Sequence, residues 1–193
     1  MAGQKLTNLA AVQPTLDDLV YIVDVSDTSD SATGMSKKAT LSNLLVPMDF
    51  GTVLINSTGD FAVSGLGFRP RRLKLEAAPP VDSTDMETAG PKNGNEEDNW
   101  SGVMVGFAKN DSGGTVQQAI SSGQGASSTN ATRSIASSSL AFAVSYANTN
   151  GGEVGQISGT LKSWDSDGFT LNANTFSGIT NLNGLLLIWT AWR

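Results

Sequence analysis

The stretch Lys162-Ser163-Trp164-Asp165-Ser166-Asp167-Gly168-Phe169-Thr170-Leu171-Asn172, KSWDSDGFTLN, reads as a β-hairpin. Asp167-Gly168 supplies the positive-φ positions that a tight turn or bulge needs, and Trp164 is set to pack across from Phe169. The same period of two recurs at Arg72-Leu73-Lys74-Leu75-Glu76, where Leu73 and Leu75 share one face and the charged residues the other. Short runs at Thr52–Ile55, Phe61–Val63, Trp100–Ala108, Val116–Ile120, Leu140–Tyr146, Val154–Leu161 and Gly168–Asn172 continue the pattern between turn signals. Leu185-Leu186-Leu187-Ile188-Trp189-Thr190-Ala191-Trp192 is apolar at almost every position, which predicts a central strand buried on both faces. Ala77–Asn99, rich in proline, glycine and acid, reads as an exposed excursion, and Ser121–Thr132 as a polar connection. These elements predict an all-β fold, an antiparallel jelly-roll-like β-sandwich of about eight strands.

The 193 residues suffice for one such domain and a small appendage. The front of the chain has its own texture. Leu19–Val25 reads as a strand, Asp24, Asp27 and Asp30 as part of a solvated turn without EF-hand spacing, and Ser36–Thr40 as extended chain. Thr40–Leu45 reads as a helical turn capped by Thr40 and stopped by Pro47. The division expected is therefore an anchoring segment at 1–48 and a sandwich at 49–193.

Composition removes several chemistries. The sequence has no cysteine and no histidine, so disulfides, thiolate metal sites and every triad built on imidazole are excluded. Stability must come from burial or from association with further chains. A formal charge of −6 gives no overall attraction to nucleic acid or to an anionic membrane. No run approaches the apolar length of a spanning helix, and the opening residues lack the apolar core of a Sec-type leader. No cofactor and no metal is expected.

Four groups of residues were weighed as sites. Glu96, Glu97 and Asp98 beside Trp100 have the composition of a glycosidase site, but consecutive carboxylates without an opposed partner read as solvated charge. The run Arg69-Pro70-Arg71-Arg72-Leu73-Lys74 reads as the outer face of a strand, with contact to an anionic partner as the alternative. Ser36-Lys37 lacks the buried lysine of a Ser-Lys nucleophile. Tyr146, Trp189 and Trp192 are candidates for sugar stacking or a subunit interface, and Trp189 reads as structural.

The front segment LTNLAAVQPTLDDLVYIVDVSDTSDSATGMSKKATLSNLL resembles the N-terminal module of many bacteriophage structural proteins. That module has an L-A-A opening, a D-x-L-x-Y-V-V strand and an S-K-K-x-T-L-x-x-L ending. The matching residues are Leu9, Ala10 and Ala11, then Asp18, Val20, Tyr21, Ile22 and Val23, then Ser36, Lys37, Lys38, Thr40, Leu41 and Leu44. Asp27–Thr33 takes the place of the family's short Gly-Gly turn. GLGFRPRRLKLEA, SWDSDGFTLN and LLLIWTAWR look like the β-sandwich modules of phage head- and tail-surface proteins. The resemblance implies a non-enzymatic virion component at the particle surface, a head decoration, head fibre or tail fibre. Together with the missing catalytic residue types and the apolar run at 185–192, it gives the expectation of a homotrimer in contact with other virion proteins, a head decoration or short head fibre, with a tail fibre that recognises host glycan as the alternative and, from charge and hydropathy, neither nucleic acid nor membrane insertion. It assigns anchoring to Leu9, Tyr21, Ile22, Val23, Lys37, Lys38, Leu41 and Leu44.

Overall fold

The computed structural model describes residues 19–24, 35–40, 47–85, 96–111, 113–125, 132–148 and 150–193. The chain forms two units, Met1–Pro47 and Met48–Arg193. In the first, β1 (Leu19–Asp24) and β2 (Met35–Thr40) make a two-stranded antiparallel ladder with Leu19 opposite Thr40 and Asp24 opposite Met35. Thr40 closes β2, and the helical turn expected after it lies outside the described residues.

Among the described residues the second unit holds ten strands: β3 (Met48–Ile55), β4 (Gly59–Ser64), β5 (Arg72–Ala77), β6 (Trp100–Asp111), β7 (Gly114–Gly125), β8 (Thr132–Ser137), β9 (Phe142–Ala147), β10 (Glu153–Asp165), β11 (Gly168–Ser177) and β12 (Leu185–Trp192). They form two antiparallel sheets, one in the order β3-β12-β5-β6-β7-β8 and one in the order β4-β11-β10-β9, packed as a β-sandwich. The outermost pairings are nested, β3 with β12 and β4 with β11, whereas β5 to β8 and β9 to β11 run as meanders.

Side-chain alternation accounts for most of the core. β5 buries Leu73, Leu75 and Ala77 and turns Arg72, Lys74 and Glu76 outward. Leu75 alone, fully buried, contributes about 1.5–3 kcal/mol. The hairpin forms as its sequence predicts, with Trp164 opposite Phe169 and Asp165 opposite Gly168. Trp164 Nε1 donates to Thr115 Oγ1 at 3.0 Å, which satisfies its one polar atom. Phe169 in turn meets Trp189 edge-on, ring centroids 5.5 Å apart.

Three expectations need correction. The sandwich has ten strands rather than about eight, because Ser121–Thr132 is not simply a connection: β7 continues through Gly125 and β8 begins at Thr132. Ser and Gly are poor strand formers, but here they make room for the buried Trp100 ring, and a Cβ at Gly123 would lie 2.3 Å from Trp100 Cζ2. Second, β12 buries only one face. Leu185, Leu187, Trp189 and Ala191 point inward, whereas Ile188 on the other face is 51% exposed. Third, the strand buried on both faces is β9, all six of whose residues are buried, with β6, β7 and β8 packed on it. Gly106 in β6 allows that approach, since a Cβ there would sit 1.8 Å from the Ala141 carbonyl oxygen.

Candidate functional site

The acidic segment is built into the fold. Trp100 opens β6 and packs edge-on against Tyr146, centroids 5.5 Å apart, so the preceding 3-10 turn Glu97–Asn99 is drawn into the sandwich. Glu97 is 2% exposed, and its Oε1 accepts from the Asn181 backbone N–H at 2.5 Å and from the backbone N–H and hydroxyl of Thr180. Asp82, also buried, accepts from the Asn183 N–H at 2.6 Å. The two carboxylates thus pin the loop from Thr180 to Asn183 to the chain on either side of residues 86–95.

This corrects the reading of Glu97 and Asp98 as solvated charge, for both side chains are buried, and of Ala77–Asn99 as wholly exposed. Burial alone would raise the Glu97 carboxyl, but the N–H groups of Asn181 and Thr180 outweigh it and hold the group below its ordinary value. A carboxylate kept ionised by backbone donors is a clamp and a poor proton donor. Burial, with the charges of Glu97 and Asp82, pushes the Tyr146 phenol up. Among the described residues, no group of three or more acidic side chains is placed to hold a metal ion, and no helix is long and apolar enough to cross a membrane.

The three aromatic candidates separate. Tyr146 is fully buried and Trp189 nearly so, both in the hydrophobic core. Trp192 is half-buried on the outer face of the six-stranded sheet, where it lines a concavity of about 600 Å³ with Arg72, Phe107, Lys109 and Val116.

That outer face is the most unusual surface of the sandwich. The register places Ile188, Glu76, Val105 and Ile120 in one row across β12, β5, β6 and β7, and Phe50, Thr190, Lys74 and Phe107 in the next. Phe50 is 70% exposed, Val103 61% and Ile120 60%, and Met48, Phe107 and Val116 are exposed on the same face. Arg72, Lys74, Glu76, Lys109, Gln118 and Thr190 stand among them, with Lys74 paired to Glu76 at 2.8 Å. Six strands about 4.8 Å apart and six outward positions along β6 define a broad face on which apolar and charged side chains are interleaved. The exposed apolar side chains clustered here make this face the candidate interaction surface. The signal was present in the sequence as WSGVMVGFA and LLLIWTAW, runs apolar on both sides of the pleat.

In the first unit, Tyr21, Ile22 and Val23 stand opposite Lys38, Lys37 and Ser36 in the β1–β2 ladder. Leu9, Leu41 and Leu44 lie outside the described residues. The fold defines the second unit as an antiparallel β-sandwich. Comparison of the chain with protein-family models, with curated proteins and with solved structures finds no match.

Proposed function

We propose that the protein is a non-enzymatic structural component of a bacteriophage virion, fixed to the particle by its first unit and displaying the sandwich at the particle surface. Capsid decoration or a short head fibre is the placement favoured, since nothing in the sequence reads as a repeat or coiled-coil shaft between the units. The observation that carries the structural role is the apolar outer face of the six-stranded sheet, which we assign to contacts between copies in a homotrimer. The resemblance of the front segment to phage attachment modules supports the anchoring, and the missing imidazole and thiol support the absence of an enzymatic role. The nested outer pairs, β3 with β12 and β4 with β11, support a jelly-roll-like description of the sandwich.

Locating the chain in a reconstruction of the particle tests this reading. Density for the sandwich on the head, lost when residues 1–47 are deleted, is expected; absence of the chain from the particle overturns it. A second reading, a tail fibre recognising host glycan, is favoured by the concavity beside Trp192 and Phe107. Adsorption of the isolated protein to host cells distinguishes it.

A further inference from the structure

The described basic residues of the sandwich fall into two groups, apart from Arg72 on the outer face of the six-stranded sheet. Lys74, Lys109, Arg133 and Lys162 are each paired, with Glu76, Asp111, Glu153 and Asp60. Arg69, Arg71 and Arg193 have no such partner among the described residues, yet all three line one concavity of about 530 Å³ whose other walls are Gly67 and Phe68. Only part of this follows from the strand pattern. Arg72 and Lys74 take the outward positions of β5, as the sequence reading expects, but Arg69 and Arg71 precede the strand.

Their placement is rigid. Pro70 is buried between them. The Arg71 N–H donates to the Trp192 carbonyl at 2.7 Å, and the Arg71 carbonyl accepts from Asn110 N–H at 2.8 Å, so the ends of β12 and β6 hold the residue from both sides. The first of these bonds also brings Arg193 to the same place. Asp167, across the loop, is held by the backbone N–H of Gly65 at 3.1 Å and of Gly67 at 2.5 Å, so one carboxylate stands at the rim against three guanidinium groups.

Three exposed guanidinium groups around one hollow, in a chain of net charge −6, concentrate positive charge at one place and favour an anion there. Their planar forks match the geometry of carboxylate and phosphate. We propose that Arg69, Arg71 and Arg193 form a binding site for an oxyanion carried on an acidic polysaccharide, either a uronate carboxylate or a sugar phosphate. Trp192, in the basic end row of the outer face with Arg72 and Lys109 and beyond the Phe50 and Ile188 rows assigned to contacts between copies, lines the neighbouring concavity and supplies the flat apolar surface that a sugar ring stacks on. The inference concerns the sandwich alone and does not rest on where the first unit attaches.

The test uses the full chain against immobilised polygalacturonate, phosphomannan and neutral dextran, with inorganic phosphate as competitor. Binding to at least one acidic polymer and none to dextran is expected, weakening as sodium chloride rises from about 50 to about 300 mM. Arg69→Gln/Arg71→Gln should lower affinity at least tenfold, with Lys162→Gln unchanged and the thermal midpoint of both variants preserved. Arg71→Lys, which keeps the charge and loses the fork, should fall between. Which acidic polymer competes away with inorganic phosphate identifies the oxyanion. Equal binding by the double variant, an equal loss from Lys162→Gln, or tighter binding of single-stranded DNA than of either acidic polymer would overturn the assignment.

Discussion

β12 and β9 invert what their sequences advertise. LLLIWTAW is apolar at seven of eight positions and still leaves one face to solvent, whereas FAVSYA, with a serine and a tyrosine, is buried on both faces. Composition sets how much a strand gains from burial, but its neighbours decide whether burial happens. β12 lies inside a sheet, and among the described residues no strand packs over its outer side. β9 lies at the edge of the smaller sheet, and β6, β7 and β8 pack on it. The polar residue in β9 is accommodated by a bonded triad: Ser145 Oγ donates to Glu153 at 2.8 Å and accepts from Arg133, which itself pairs with Glu153 at 2.5 Å. Small side chains fit where strands crowd, and part of the apolarity of β12 is left exposed.

The strongest way to break this contrast is to truncate the inward faces. Phe142→Ala in β9 and Trp189→Ala in β12 should each cost about 3–5 kcal/mol in a urea titration, because both rings fill core space that cannot collapse. A loss under about 1 kcal/mol at either position would mean that the sandwich is packed differently. Next in size is Ala143→Leu on β9. With no free space on either side, the added carbons should cost about 1–3 kcal/mol by overpacking. An unchanged midpoint would show that one face of β9 is open.

The clamp at Glu97 sharpens the comparison from the side of charge. Its carboxyl is lowered from 4.5 in the folded chain, so it adds stability that is present above that value and is lost as pH falls through the lower folded value. Glu97→Gln should therefore be less stable than the parent near neutrality, by about 1–3 kcal/mol, with the gap closing as the solution is acidified below about 4.5. Asp60 and Glu153 are lowered too and are common to both proteins, so the difference between the two melting curves isolates Glu97. A gap that widens in acid would reverse the sign of the argument.

How far the fold could be read from sequence follows from the same physics. β5 and the Lys162–Asn172 hairpin were legible because one face is buried and the other wet, so the pattern of two is clean. The outer face of β12 was misread because an apolar side chain has the same composition whether its face is covered or left exposed, as Ile188 is. β8 left no signal at all: Thr-Arg-Ser-Ile-Ala-Ser carries a single large apolar residue, and its pairing with β7 is set by the crowding around Trp100. Glu97 was equally silent, since its partners Thr180 and Asn181 are more than eighty residues away. The arginine cluster was half visible. Arg69 and Arg71 are near in sequence, but Arg193 joins them only because β12 pairs with β5.

The smallest effect on stability is expected from Ile188→Thr, within about 0.5 kcal/mol of the parent, because the side chain is half in water and threonine suits a strand. Its effect should instead be on association, which is where the account is most directly tested. The measurement is the molar mass of the full chain by light scattering across a range of concentrations, alongside Phe50→Lys/Ile188→Lys. The account predicts a trimer for the parent and a monomer with a preserved thermal midpoint for the variant. A parent that stays monomeric at every concentration, or a variant that remains trimeric, would contradict the assignment of the outer face to contacts between copies.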